Sequence, residues 1–375
     1  MKKFFLTLTM SIAIALTPFA HTSWPVSDDG VLSSKANQTP SFRDPALQAV
    51  VKKTIMDIVE PIELNVSFVS VVVMETESGI VRSNLNLTRT DWGWKTDEDC
   101  NHYLEAGNRR AALYLALLES GASPNESFFT SGSFIDEKAG CIIKDMNWSR
   151  GGWGHITIDR AMNRSDVAII EACETHFARS VGTLAYYLGK TGIDLGNSSP
   201  EKSHGDFCNT YERTAWDPVE ILGYRDKITP MDMTMWMQGI AHGGKWLEPR
   251  FCESDPQNTI LAQTADKRNI DLLKTAMRDE VTDGLLKTVN STRVPVYGIT
   301  NITPEKRLAT RCAMFSGFIP GYTITVNVIH GAHVSRRLTM LIAKGIIDWI
   351  AEHRVNLATE YTVIKKVRPL PSGVD

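Results

Sequence analysis

The sequence predicts a mixed α/β (α+β) domain: an antiparallel sheet flanked by its terminal helices, with an inserted all-helical lobe. Three observations lead there. A helix-period segment opens the folded part; strand-like runs come in two groups, two before and three after a long helical stretch; and an amphipathic helix closes the chain. Strands split into groups with helices gathered between them fit a sheet that buries one face against terminal helices and the other against an insertion.

In chain order, PALQAVVKKTIMDIV (45–59) puts Leu47, Val50, Val51, Ile55, Ile58 and Val59 on one helical face, so it is read as a docked helix. VSFVSVVVME (66–75) is rich in β-branched residues, ESG is a turn signal and IVRSNLNL follows, which together read as a hairpin. AALYLALLESG (111–121) reads as a helix closed by Gly121. From about 124 to 240 helical patches alternate with Gly/Pro loops; in TPMDMTMWMQGIAHGG, Thr229 is the cap and Pro230 the first helical residue. Met231, Met233, Met235 and Met237 there are read as core filling, a use the flexible thioether suits. NIDLLKTAMRDEV (269–281) is another helix. The strands VPVYGITNIT, LATRCAMFSGFIP and YTITVNVIHG follow, and then the helix SRRLTMLIAKGIIDWIAEH.

At 375 residues the chain is long enough for a large core, and its composition is that of a globular protein. A net charge of −3 without a long basic run gives no reason to expect nucleic acid as a partner. Residues 1–23 carry Lys2 and Lys3, an apolar run from Phe4 to Ala20 and then small and polar residues, the pattern of an export signal. Cleavage is expected between Ala20 and Ser23, with an uncleaved membrane anchor as the alternative. Residues 24–44 read as a linker, 45–353 as the folded domain and 354–375 as a polar tail. Cys100, Cys141, Cys173, Cys208, Cys252 and Cys312 form no CxxC and no zinc-spaced cluster, and their pairing is open. His330 and His333 in HGAH are read as part of a turn after a strand in preference to a metal pair, so no cofactor and no metal is expected.

Several stretches, in this order, resemble the transpeptidase domain of penicillin-binding proteins, within the serine β-lactamase-like fold. VSVVVMETESGIV resembles the family's opening hairpin, and EAGNRRAALYLALLESG the turn and helix that bear its nucleophile. GHITIDRAMNRSDVAIIEA resembles the approach to its second motif, YLGKTGIDLG and ITPMDMTMWMQGIAHGGKWLEP parts of its helical lobe, and VPVYGITNIT with AMFSGFIPGYTITVNVI its later strands. The likeness covers about residues 45 to 350. It implies acyl transfer: a serine attacks a D-alanyl-D-alanine bond or a β-lactam ring, a lysine one helical turn on takes the proton, an S-x-N loop relays it, and a K-T-G strand receives the substrate carboxylate.

Carried over position by position, those motifs are broken. Asn108 stands in the place of the nucleophile and Ala111 in that of the lysine; Arg164-Ser165-Asp166 replaces S-x-N, and Ile299-Thr300-Asn301 replaces K-T-G. An amide and a methyl can neither attack a carbonyl nor accept its proton, and loss of such a pair removes about 10⁶ in turnover. Oxyanion donors on the backbone of Asn108 and Ile302 do not depend on side chains. Lys190-Thr191-Gly192 spells K-T-G, but it closes the helix after the second motif and is read as a helix exit with a solvated lysine. Ser133 with Asp136 and Ser199 with Lys202 are the other candidates for a displaced catalyst; the first has no lysine and the second lies in a Pro/Gly-containing loop.

Arg109, Arg110 and Arg164 surround the mapped site. One reading is a pocket in which Arg109, Arg164, Thr300 and Ile302 hold a carboxylate; the favoured one is that these arginines are solvated or paired with Glu105, Asp166 or Asp159. Trp148 and Trp153 in NWSRGGWGH are read as buried indoles pinning a glycine-rich loop, with sugar stacking as the alternative. The resulting expectation is an exported, periplasmic or cell-envelope domain without catalytic activity that binds peptidoglycan stem peptides, a β-lactam-like ligand or a cell-envelope protein. A working D,D-transpeptidase, carboxypeptidase or β-lactamase with unconventional motifs, and a non-enzymatic structural subunit of the envelope, are the alternatives.

Overall fold

The computed structural model describes residues 41–62, 66–99, 109–137, 140–192, 216–224, 228–257, 259–261, 265–304, 310–331 and 337–354. The export segment, most of the linker and the tail lie outside these residues, as do Cys100, Asn108, Ser199, Lys202, Cys208 and His333. Among the described residues no helix is long and apolar enough to cross a membrane.

Helix α1 (Pro45–Val59) starts where Asp44 accepts hydrogen bonds from the Ala46 and Leu47 N–H groups, and it buries Leu47, Val51, Ile55 and Val59. Strands β1 (Val66–Glu75) and β2 (Val81–Thr90) form the expected hairpin. Gly79 in its turn has φ +70°, and a Cβ there would lie 2.6 Å from the Glu248 carbonyl oxygen, so glycine is required twice over. A strand absent from the sequence reading follows, β3 (Gly93–Asp97). Only five residues long and polar, it has no alternating apolar pattern, and β2 alone holds it as the sheet edge. The lobe therefore enters after the third strand and not after the second.

Within the lobe, α2 (Arg110–Glu119) is buried on every side, as an apolar helix at the centre of a domain must be. Three two-stranded ribbons accompany the helices, so the lobe is not wholly helical. These are β4 (Ser127–Thr130) with β7 (Gly154–Thr157), β5 (Ser133–Asp136) with β6 (Cys141–Lys144), and β8 (Trp246–Leu247) with β9 (Thr259–Leu261). The helices are α3 (Ile158–Arg164), α4 (Asp166–Phe177), α5 (Val181–Lys190), α6 (Pro218–Ile221), α7 (Pro230–Ala241) and α8 (Lys267–Thr282). Thr229 and Asp232 form a capping box at the start of α7. Met231, Met233 and Met237 are buried and Met235 half-buried, in keeping with core filling.

The chain returns to the sheet as β10 (Tyr297–Pro304), β11 (Thr310–Ile319) and β12 (Tyr322–Gly331), and α9 (Leu338–His353) closes the fold. The sheet is antiparallel throughout, in the order β10-β11-β12-β1-β2-β3. Helices α1 and α9 cover one face through an apolar cluster that includes Ile55, Ile346 and Val326. The lobe covers the other face, and β10 is the edge strand beside it.

Candidate functional site: the cleft between helix α2 and strand β10

Three elements converge at the lobe side of β10. The N-terminus of α2 brings Arg109 and Arg110, the α3–α4 junction brings Asn163 to Asp166, and β10 brings Ile299 to Ile302. Arg110 links all three. Its Nε lies 3.3 Å from Asp166 Oδ1, and its Nη2 donates to the Thr300 carbonyl at 3.1 Å and to Asn301 Oδ1 at 3.2 Å. The second carboxylate oxygen of Asp166 accepts from the Tyr224 hydroxyl. Burial, reinforced by the Asp166 charge, pushes that phenol well above its ordinary value, so Tyr224 is held as a donor.

The outer edge of β10 is occupied as well. The Thr300 N–H donates to Asn163 Oδ1 at 3.3 Å, while its carbonyl receives Arg110, so both outward main-chain groups of Thr300 are taken by side chains of the lobe. The Thr300 hydroxyl turns back to the Met314 carbonyl at 2.8 Å. Ile302 lies in the same strand, paired with Ala313.

Beneath the junction, Ser165 caps α4 by accepting from the Ala168 N–H, and its hydroxyl donates to Asp145 Oδ2 at 2.6 Å. Asp145 also accepts from the Val167 N–H and the Thr130 hydroxyl. Its burial raises the carboxyl above the usual range. Ser165 is fully buried and is a structural hydroxyl.

Arg164 is paired as expected, but among the described residues its partner is neither Asp166 nor Asp159, and Glu105 lies outside those residues. Its Nε and Nη2 donate to Glu280 Oε1 at 2.8 and 2.7 Å in a largely buried pair. Its guanidinium lies 5.9 Å from the Trp153 ring centre, and its carbonyl accepts from the Trp153 indole. The other oxygen of Glu280 accepts from the Leu285 N–H, a close approach open because Gly284 has no side chain: a Cβ there would meet it at 2.1 Å. Arg109 is fully buried, neither solvated nor at a surface, and donates to the Glu220 carbonyl.

A family model for the penicillin binding protein transpeptidase domain matches residues 111–301, half of the chain. The chain belongs to this family. No curated protein matches it. Solved structures show the same fold. A peptidoglycan glycosyltransferase from Burkholderia ambifaria superposes with a TM-score of 0.64 at 16% identity, over 84% of this chain and 98% of that one. Penicillin-binding protein 2B from Streptococcus pneumoniae strain R6 gives 0.66 at 15% identity, over 85% and 60%. PBP2 of Pseudomonas aeruginosa gives 0.62 at 17% identity, over 86% and 81%.

Ala111, read from the sequence as standing in the lysine's place, is buried and presents only a methyl. Asn108 lies outside the described residues, as does the side chain of Ile302. The Lys190-Thr191-Gly192 tripeptide is at a helix exit: Gly192 has φ +84°, and Thr191 is buried. Lys190 is not merely solvated, since its ammonium lies 3.5 Å from Glu119 Oε2. Neither indole is fully buried as expected: Trp153 is half-buried, packed on the core, and Trp148 is 49% exposed. His330 is buried within β12, and of the six cysteines Cys141, Cys173, Cys252 and Cys312 form no disulfide with one another.

Asn163, Glu280, Asp145 and Tyr224 escaped the sequence reading. Glu280 had a signal: it falls on the apolar stripe of α8 with Ile270, Leu273 and Met277, and a carboxylate at a core position implies a buried cation.

Proposed function

We propose that this chain is an exported, catalytically silent transpeptidase-fold domain of the cell envelope that acts by binding a protein partner. One observation supports this above the others: Arg110 reaches across the cleft to Asp166 and Thr300, where the family's chemistry needs a lysine beside a serine and an open strand edge. Guanidinium stays protonated at any working pH and cannot serve as a general base. A stem peptide or β-lactam aligned on β10 would have to displace both Arg110 and Asn163 from Thr300, which makes a cell-wall protein bound elsewhere the better-supported partner than a peptide in the cleft. The envelope location draws on the relatives, among which are a peptidoglycan glycosyltransferase and a peptidoglycan synthetase, and on the Lys2–Ala20 segment.

Incubation with a fluorescent penicillin followed by intact-mass measurement tests the proposal. The expected result is unmodified protein; a stable adduct that disappears when the protein is denatured before labelling would overturn it.

A further inference from the structure

Exposed large hydrophobic side chains concentrate in one place. Phe129, Ile135, Ile142, Met146 and Trp148 are 60%, 64%, 61%, 47% and 49% exposed, and all lie within twenty residues of one another on the β4–β6 ribbons and the loop that follows. Ile135 and Ile142 are opposite partners in the β5–β6 register, as are Ser133 and Lys144 two residues along, so the four share the outward face of the ribbon. The Lys144 ammonium sits 4.0 Å from the Trp148 ring centre and carries that face onto the indole.

The loop that holds Trp148 out is built tightly. A Cβ on Gly132 would lie 2.6 Å from the Trp148 Cα, and one on Gly152 would lie 2.2 Å from the Gly132 N, so the loop and the β4–β5 corner touch backbone to backbone. The Asn147 amide donates to the Gly152 carbonyl, and the Asp145 N–H to the Gly132 carbonyl. An indole left half in water on so fixed a support loses little entropy when covered, which is how rigid aromatic anchors act in interfaces.

Charge indicates what covers it. Lys144 shares the outward face of the strip and exposed Arg150 follows Trp148 by two residues, and among the described residues neither has a carboxylate partner. The apolar side chains also lie along the ribbon, at half to two-thirds exposure, and Lys144 covers one face of the indole. Trp92, 98% exposed at the β2–β3 turn, stands out as an insertion side chain would; Trp148 does not. A flat, rigid strip suits a protein surface better than a lipid one.

We infer that the outer face of the β5–β6 ribbon, with Ile135, Ile142 and Trp148 at its centre and Lys144 and Arg150 beside them, is the docking surface for an envelope protein that presents aliphatic residues flanked by carboxylates. This rests on the reading that the domain works by binding, but uses none of the cleft residues.

The test places a photo-reactive amino acid at position 135 or 142 of the full chain, with position 341, an exposed apolar site on α9, as the control. The protein is irradiated in envelope extract of the producing organism and the cross-linked segments are sequenced by mass spectrometry. Expected is one protein captured from both ribbon positions and not from 341, through a segment containing aliphatic residues next to Asp or Glu, with yield falling at least tenfold in W148A and in the K144E/R150E double variant. Lipid adducts alone, adducts with a second copy of this chain, a basic captured segment, equal capture from 341, or no adduct would each overturn the assignment. Far-ultraviolet circular dichroism of the variants separates lost binding from lost folding. A penicillin adduct would refute the silent cleft and leave this surface intact, so the two failures are distinct.

Discussion

The layer between the sheet and helices α1 and α9 and the cleft on the lobe side of β10 are both shielded from water yet held by different physics. Toward α1 and α9 the layer is Val, Ile and Leu, with side chains such as Ile55, Ile346 and Val326 fully buried and nothing charged among them. Toward the lobe, the residues that meet at the cleft are Arg110, Asn163, Ser165, Asp145 and Glu280, all buried and all engaged with one another or with backbone. An apolar layer tolerates exchange of one hydrocarbon for another. A buried ion pair tolerates only joint replacement, because either partner left alone is an uncompensated charge. Within this transpeptidase fold the scaffold is held by packing, while the cleft is crossed by side chains bonded to one another and to backbone.

The largest expected effect probes that network. R164A or E280A, each leaving the other charge buried, should cost about 3–5 kcal/mol of unfolding free energy in a denaturant titration. The double variant R164M/E280L should cost far less than the sum of the two. If the single and double losses simply add, the pair is not the coupled unit described here. On the opposite face, I346V should cost only about 0.5–1.5 kcal/mol. A loss there as large as for E280A would erase the contrast between the faces.

How legible each face was follows the same division. Helix α1 could be bounded from PALQAVVKKTIMDIV because its core contacts repeat with the helical period, and Thr229-Pro230 announced α7 through local capping chemistry. Strand β3 could not be read, because GWKTD is held from one side only and has little to bury. That the start of α2, residues 164–166 and residues 299–301 belong to one cleft could be read from the order of the stretches. That Arg110 would reach Thr300, 190 residues away, or Asn163 its N–H, depends on how three elements meet, which no local pattern encodes. Pairing of Arg164 was foreseen in kind, yet its partner came from α8, 116 residues on. Trp148 was misread because a glycine-rich loop with tryptophan is usually buried; here the glycines pack together and leave the indole outside.

A smaller effect separates buried charge that is satisfied from buried charge that is not. Burial, with Glu174 and Asp145 nearby, pushes the Glu171 carboxyl from 4.5 up to about 7. Because the folded value is the higher, its stabilising contribution is complete below 4.5 and disappears as pH rises through about 7. E171Q should therefore flatten the pH dependence of the thermal midpoint across this window and raise the midpoint above it. An unchanged pH profile would mean that another group governs it.

The claim that the cleft is closed by its own side chains is tested most directly by hydrogen exchange at the Thr300 amide. On an edge strand facing an open groove, an outward N–H exchanges quickly; bound to Asn163, it should be protected to the level of the central strand β1, and N163A should release it. Fast exchange at Thr300 in the unaltered protein, with N163A making no difference, would contradict the account.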